Sequence, residues 1–339
     1  MEVELKRLGD ESSAFQRVTL PIREDRYTGV IRRLEEFGIG SAEAQDCLIS
    51  SISDEYPVLR QLEDTAVNID ELDYLAHWLS TSSASRTAAF QALASKYRTG
   101  HIEDFINLTG CCYKATVITD FSDLEKIGQM HYRTLHPCAK EEELDQVDFR
   151  TEALNLVQNV AGTVTPYDVL YENGLKVRRN YRGGPLPDYR RIGSAMTVIM
   201  TWKTTQIDKE TFLHLPSCSL RLERALERCG LAEDNRECVS VCCENAPPYI
   251  YNLDYESTPV PDWNALAWAV SRLSSADKKK LNAVMEYVKP KNALQMAALA
   301  EHIDCFAYEE AESSDVQSLL CYQGPTSLDA LMERVQPHA

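Results

Sequence analysis

The sequence predicts an α+β protein made of two repeated modules that a small α/β spacer joins into an elongated chain. Two observations predict this class. Short alternating apolar segments and helical stripes follow one another in the same order twice along the chain. The length of 339 residues also exceeds what one typical core needs. The predicted organisation is a first module at 1–130, a spacer at 131–195, a diverged second module at 196–315 and a C-terminal tail or helix at 316–339.

The two modules open alike. An alignment that sets Met1 against Met196 also sets "LP" at residues 20–21 against "LP" at 215–216, without a gap. The openings "MEVELK" and "MTVIMTW" alternate in the way that half-buried strands do. "RVTLP" and "FLHLP" predict the second strands, and each ends at a proline, which cannot donate a ladder hydrogen bond.

A helix and a third strand follow in each module. In the first module the helical stripe includes Tyr27, Ile31 and Leu34, and Gly38 stands where a C-terminal capping glycine is expected. The matching helix of the second module, "SLRLERALERCG", is shorter by about one turn. "AQDCLISSISDEYP" and "NRECVSVCCENAPP" then alternate around a cysteine, which predicts a strand in both places.

The remaining elements also recur. "NIDELDYLAHWLS" and "PDWNALAWAVSRLS" carry similar helical stripes, and both end in Leu-Ser. A second helix follows in each module, and then a third short one, "IEDFINLT" or "ALQMAALA". "CCYKATVIT" and "IDCFAYEE" predict the closing strands. Each module therefore has the order ββαβ, about three helices, and a strand.

The predicted spacer contains a helix, "FRTEALNLVQNVAG", and a hairpin in "TPYDVLYENGLKVRRNY" that turns at Asn173-Gly174. The end of the spacer, from Lys176 to Arg191, is basic. Two interpretations stay open: these cations bind phosphate, or they neutralise an acidic face of their own chain, and we favour the second. The basic residues are Lys176, Arg178, Arg179, Arg182, Arg190 and Arg191.

The charge balance restricts the class of partner. The chain has 52 Asp and Glu against 35 Lys and Arg, for a net charge of −17. Such a surface repels nucleic acid and anionic membranes and attracts basic surfaces, although acidic residues also serve simple solubility. There is no apolar run near the ~20 residues of a membrane span, and "MEVELKRLGDESS" lacks the features of a signal peptide. We therefore expect a cytoplasmic protein with reduced cysteines and no direct nucleic-acid or membrane binding.

Patterns typical of enzymes and metal sites were not found. "HYRTLHPC" and "CVSVCC" lack the paired short spacings of zinc sites. "RNYRGGP" lacks the strand and helix that accompany a phosphate-binding glycine loop, and neither GxSxG nor HExxH occurs. The sequence thus predicts a non-enzymatic protein without cofactor or metal, and the alternative is an enzyme whose catalytic residues are scattered.

Three segments of the first module carry a family resemblance. "TLPIREDRYTGVIRRLEEFGI", "NIDELDYLAHWLS" and "IEDFINLTGCCYKATVITDFSDLEKIG" resemble the ArdA-type antirestriction family, especially its long versions from mobile elements. The resemblance extends over residues 15–130 and, more weakly, over 196–315. It implies an acidic, elongated, often dimeric DNA mimic that occupies the DNA groove of type I restriction–modification enzymes. The duplication and the basic spacer depart from the simple family pattern, so the target and homodimer formation stay open.

Charge and resemblance together predict that surface carboxylates bind the basic groove of a restriction–modification or other defence enzyme. For each carboxylate the alternative is an ordinary solvated face. The alternative function is a mobile-element or phage protein that binds another host factor through a hydrophobic patch. The candidate carboxylates are Asp25, Glu35, Glu36, Glu43, Asp46, Asp54, Glu55, Glu63, Asp64, Asp70, Glu71, Asp73, Glu301, Asp304, Glu309, Glu310, Glu312 and Asp315.

Overall fold

The computed structural model describes residues 1–9, 14–203, 208–230, 240–244, 246–253, 258–309 and 319–333. The chain divides into two compact units, Met1–Arg190 (unit 1) and Arg191–Ala339 (unit 2). Both are mixed α+β with small antiparallel sheets, so the α+β part of the prediction is confirmed. None of the helices in these ranges combines the length and the apolar character that crossing a bilayer requires.

Unit 1 begins with a ββαβ arrangement, continues through three consecutive helices, and ends with further helices around a second sheet. Its elements are β1 (Glu2–Arg7), β2 (Gln16–Thr19), α1 (Glu24–Glu36), β3 (Cys47–Ile52), a 3₁₀ helix (Pro57–Leu62), β4 (Ala66–Val67), α2 (Ile69–Thr81), α3 (Ala84–Tyr97), α4 (Ile102–Thr109), a 3₁₀ helix (Cys112–Lys114), β5 (Ala115–Ile118), α5 (Leu124–Leu135), α6 (Glu141–Leu144), α7 (Phe149–Asn159), β6 (Gly162–Thr165) and β7 (Asp168–Glu172).

The first sheet of unit 1 has the order β2-β1-β3-β4, and every pairing in it is antiparallel. Alternate residues such as Val3 and Leu5 are buried, as their sequence pattern predicts. The predicted stripe of α1 is also buried, at Tyr27, Ile31 and Leu34. The apolar residues of the sheet and of α1 are thus buried where the sequence pattern predicts it.

The second sheet of unit 1 corrects the predicted spacer. Its order is β5-β7-β6, so the closing strand β5 of the predicted first module pairs with a strand from the predicted spacer. The hairpin turns between β6 and β7, where Thr165 pairs with Asp168, and not at Asn173-Gly174. No strand is described within 175–190. The prediction misplaced the hairpin because β7 already has a partner on each side, which leaves no edge for a strand after Gly174.

The closing strands start later than predicted. Cys112–Lys114 and Ile303–Cys305 are 3₁₀ turns, and strands β5 and β11 follow them. In unit 1 the thiols of Cys111 and Cys112 donate to the carbonyl of Leu108 at 3.4 and 2.9 Å. These side chains thus continue the turn that ends α4, and their prediction as strand residues was wrong.

Unit 2 has a similar ββαβ start and three consecutive helices, and it ends on a short strand pair and a helix. Its elements are β8 (Met196–Lys203), β9 (Asp208–Leu215), α8 (Ser219–Glu227), β10 (Ser240–Glu244), a 3₁₀ helix (Pro248–Asn252), α9 (Val260–Ser271), α10 (Ser275–Val288), α11 (Ala293–Glu301), a 3₁₀ helix (Ile303–Cys305), β11 (Phe306–Glu309), β12 (Leu319–Tyr322) and α12 (Leu328–Glu333).

The sheets of unit 2 have the orders β10-β8-β9 and β11-β12, and both are antiparallel. Their core is built around the fully buried Trp263, together with Leu266, Leu281 and Met296. The predicted strand in "NRECVSVCCENAPP" is present as β10, whereas Cys238 lies outside the described residues. The predicted C-terminal tail contributes β12 and α12 to this unit.

Several local details occur in both units. A cis peptide bond precedes Pro21 at the end of β2 and Pro216 at the end of β9. Helices α3 and α10 both end at a left-handed residue, Arg98 with φ 49° and Lys289 with φ 56°. The strand order β2-β1-β3 in unit 1 also matches β9-β8-β10 in unit 2.

Candidate functional site

The predicted partner-binding carboxylates fall into groups that differ in exposure. The exposed ones are Asp25, Glu35, Glu36, Glu43, Asp54, Glu55, Asp64, Glu301 and Asp304. Asp46 and Glu63 are half-buried, and Asp70, Glu71 and Asp73 are buried. Glu310, Glu312 and Asp315 lie outside the described residues, as does the side chain of Glu309. The carboxylates predicted from sequence are therefore not all surface residues.

The prediction was wrong for the three acids of α2. Asp70, Glu71 and Asp73 keep only 8%, 2% and 1% of their surface exposed. Their sequence context, "NIDELDYLAHWLS", looked like a helix with one polar face, but every residue from Ile69 to Leu79 is buried. Carboxylates this deep cannot present charge to a partner, and they need internal hydrogen-bond donors.

Those donors come from distant parts of unit 1. The Tyr27 hydroxyl donates to Asp70 Oδ1 at 2.5 Å, and the Tyr181 hydroxyl donates to Glu71 Oε1 at 2.6 Å. The backbone N–H of Ile22 donates to Asp73 Oδ1 at 2.6 Å. The first turns of α2 thereby hold α1, the segment after β7 and the chain after β2. Near a helix N-terminus the backbone dipoles also favour negative charge.

Asn68 caps this helix and fixes the adjoining loop. Its Oδ1 accepts the N–H groups of Asp70 and Glu71 at 2.9 and 3.3 Å. Its Nδ2 lies within 2.9–3.0 Å of three carbonyl oxygens in the loop before β3, those of Ser41, Ala42 and Ala44. One buried amide therefore ties the start of α2 to the loop that carries Glu43.

Some exposed carboxylates are already neutralised by cations. Asp25 pairs with Arg23 at 3.0 Å, and Asp54 pairs with Arg60. Glu55 lies 2.9 Å from the N-terminal ammonium group. The guanidinium of Arg23 donates a hydrogen bond that lowers the pKa of Asp25. These three acids therefore offer less uncompensated charge than their exposure suggests.

Other exposed carboxylates make no ion pair with any residue that the structure describes. In unit 1 these include Glu36, Glu43 and Asp64, and in unit 2 Glu301 and Asp304.

The half-buried acids fix the loops that carry Glu43 and Asp64. Asp46 accepts the N–H groups of Gly40 and Ser41, each at 2.9 Å. Glu63, the neighbour of Asp64, accepts the N–H of Ile52 at 3.1 Å. Asp46 and Glu63 hold the backbone, and the exposed acids project from it.

One acidic segment was missed. Glu141, Glu142, Glu143 and Asp145 are exposed in and beside α6. Glu141 pairs with Arg133 at 3.2 Å, and Glu143 accepts the N–H of Lys140 at 3.2 Å. The charge run "KEEELDQVD" in the sequence was the pattern that could have indicated this segment.

The basic segment divides between the two interpretations. Arg179 lies 3.7 Å from Asp104, which agrees with neutralisation of an acid of its own chain. Lys176 and Arg178 instead line a cavity of about 270 Å³, together with Lys114, and no carboxylate lines it. Arg191 is a structural residue, since it donates to the carbonyl of His214 at 2.9 Å and to Ser217 Oγ at 2.6 Å.

Among the described residues no three His, Cys, Asp or Glu side chains gather in the manner of a metal site. What the arrangement can do chemically is electrostatic: it displays unpaired carboxylates on a backbone that buried acids and amides hold in place. No protein-family model, no curated protein and no solved structure matches this chain.

Proposed function

We propose that the chain is a tandem duplication of one α+β module and that it acts as a non-enzymatic DNA mimic. In this proposal its exposed carboxylates bind the basic DNA groove of a restriction–modification or similar defence enzyme in the cytoplasm. The family resemblance in the sequence suggests this function, and the charge of −17 agrees with it.

The duplication is supported by details that a chance similarity of fold does not require. The two units share the strand order of the first sheet and a left-handed residue at the end of the equivalent helix. The sequence alignment places Pro21 and Pro216 opposite each other. A doubled module would repeat its acidic surface along the chain, as a longer duplex repeats its phosphates.

One observation carries the mimicry: Glu36, Glu43 and Asp64 are exposed and form no ion pair among the described residues. A carboxylate that replaces a DNA phosphate has to be free of internal cations. It also has to be held by a stiff backbone, because ordering a flexible loop on binding costs affinity. For Glu43 and Asp64, the hydrogen bonds that backbone N–H groups donate to Asp46 and Glu63 provide that stiffness.

The test is competition between the chain and labelled duplex DNA for a type I restriction–modification complex. Displacement of the DNA is measured by its fluorescence anisotropy. The triple variant Glu36→Gln, Glu43→Gln, Asp64→Asn should weaken competition by about tenfold. The matched control Asp25→Asn, Asp54→Asn, Glu55→Gln changes the net charge equally but removes acids that are already paired. It should weaken competition by less than about threefold.

Salt provides the second measurement. Wild-type competition should fall steeply between low and physiological ionic strength, because exposed charges are screened over about 8 Å in 0.15 M salt. Equal losses in the two triple variants, or a flat salt response, would contradict mimicry by these acids.

A salt-independent interaction would favour the alternative function. Unit 2 exposes large apolar side chains at Tyr251, Trp268 and Tyr287, with 62%, 39% and 64% of their surface accessible. Aromatic residues of this kind are enriched at protein interfaces. They are the residues through which a hydrophobic patch would bind another host factor.

A further inference from the structure

Unit 1 of this acidic protein contains two adjoining cavities whose walls carry cations and no carboxylate. The larger has a volume of about 650 Å³ and is lined in part by Arg86, Lys126 and Arg133. The smaller, of about 270 Å³, is lined in part by Lys114, Lys176 and Arg178. The chain has 52 acidic and 35 basic residues, so the positive charge of these walls is opposite in sign to the net charge of the chain.

The larger cavity is lined by residues from the start of α3 and from helix α5, and by Cys112, Tyr113 and Ala115. Apolar atoms of Cys112, Ala115, Met130 and Pro137 form part of its wall, and Ser83, Ser85, Gln129 and Thr134 add groups that can form hydrogen bonds. Its volume falls within the roughly 300–1,000 Å³ of pockets that hold small ligands. A partly apolar wall with a few polar and cationic groups suits an amphipathic anion.

The cations of this cavity are accessible. Arg86 and Lys126 are exposed. Arg133 pairs with Glu141 at 3.2 Å, but both side chains are at least half exposed, so the pair is weak and a ligand anion can replace it. The α3 helix adds to the positive potential, because its first turn contains no acidic residue that would offset the helix dipole.

Tyr113 lines both cavities. Its side chain is 48% exposed, and the ammonium of Lys114 lies 5.5 Å from the centre of its ring. An exposed aromatic ring beside cations offers a stacking surface for a planar group whose phosphate pairs with the cations.

We propose that the larger cavity binds a small phosphate-bearing molecule with a planar ring, of the nucleotide class. Its phosphate pairs with Arg86, Lys126 and Arg133, and its ring stacks on Tyr113. The site is for binding, not covalent chemistry, because the Cys112 thiol is buried and donates to the carbonyl of Leu108. None of the carboxylates proposed to imitate DNA is part of it, so it stands or falls independently of that function.

The test is isothermal titration of the full chain with AMP, inorganic phosphate and adenosine as separate probes. AMP should bind with a Kd below about 1 mM, and phosphate and adenosine should each bind at least about tenfold more weakly. The double variant Arg86→Ala, Lys126→Ala should weaken AMP binding by about tenfold or more. The Tyr113→Leu variant should reduce the affinity for AMP toward that for phosphate.

The matched control is Lys278→Ala, Lys279→Ala, which removes two exposed cations from α10 of unit 2 and should leave AMP binding unchanged. Circular dichroism of each variant checks the fold, which these exposed positions should not disturb. The proposal fails if AMP does not bind at millimolar concentration, or if the control loses as much affinity as the cavity variant. It also fails if octathymidylate binds whereas AMP does not, because the cations would then bind single-stranded nucleic acid and not a small nucleotide.

Discussion

The two units fix the residue that follows their cis proline by different means. In unit 1, Asp73 of α2 accepts the N–H of Ile22 at 2.6 Å. In unit 2, Asn264 of α9 accepts the N–H of Ser217 at 2.9 Å and donates to the carbonyl of Ser217 at 2.8 Å. A carboxylate does the task in one unit, and a neutral amide does it in the other.

This difference teaches that acidic residues in this chain are of two kinds. Unit 1 places Asp70, Glu71 and Asp73 at the buried start of α2, where each receives a hydrogen bond from a distant segment. The first turn of α9 also buries one carboxylate, that of Asp262, with 1% of its surface exposed, but position 264 is a neutral amide. An acidic sequence is therefore not the same as an acidic surface, and part of the charge of unit 1 is used to hold its fold.

The largest expected effect comes from removing the buried carboxylate of unit 1. Asp73→Ala leaves the buried N–H of Ile22 without its acceptor, which should lower the stability of unit 1 by about 3 kcal/mol. Hydrogen exchange of the β1 and α2 amides measures this, because a chain of two units need not unfold in one step.

The replacement Asp73→Asn sharpens the comparison. It keeps an oxygen acceptor and copies the amide of unit 2, so its cost should stay within about 1 kcal/mol. A loss as large as that of Asp73→Ala would mean that the negative charge itself, and not the hydrogen bond, is what unit 1 requires.

The corresponding change in unit 2 should have a smaller effect. Asn264→Ala removes two hydrogen bonds between neutral groups, which should lower the stability of unit 2 by about 2 kcal/mol. Hydrogen exchange of the β8 and α9 amides measures this loss. Asn264→Asp should also destabilise, because its second oxygen would face the carbonyl of Ser217. If Asn264→Asp were harmless, the amide would have no advantage there and the contrast between the units would disappear.

The smallest expected effect is a pH dependence of unit 1. His131 is buried against Thr116, with 3.1 Å between Nδ1 and Oγ1. Burial lowers the pKa of His131, and the nearby Glu152 opposes this only in part. Below its unfolded pKa of about 6.5 the unfolded chain binds the proton more readily. Stability should therefore be full above that pH and decline as the pH falls.

Melting temperatures between pH 8 and pH 5 test this dependence. The decline should be smaller in His131→Gln than in wild type. The control His101→Gln changes an exposed histidine of the same unit and should retain the wild-type decline. An unchanged decline in His131→Gln would show that other groups cause it.

Local patterns in the sequence predicted most elements, because alternation and helical stripes reflect burial directly. Examples are the apolar stripe of α1 and the alternating strands β1 in unit 1 and β8 in unit 2. The β6–β7 hairpin was misplaced because "ENG" is a good turn at short range, whereas the actual register depends on the pairing of β7 with β5. Such pairing between distant strands leaves no local mark in a sequence.

The candidate site was predictable only in part. Exposed acids such as Glu36 and Glu43 could be chosen from charge alone. The burial of Asp70 and Asp73 could not, since their donors, Tyr27 and Ile22, are more than 40 residues away in sequence. The cation-lined cavity was equally hidden, because it joins residues from α3 and α5 that no motif connects.

The pairing of β5 with β7 also determines where unit 1 can be divided. All four residues of β5 are buried, and one side of the strand is bonded to residues 168–172. A fragment that ended at residue 130 would expose this apolar strand with its hydrogen-bonding groups unsatisfied. Such a fragment would tend to self-associate through that edge. A fragment extended to residue 190 would keep β7, which covers the edge of β5.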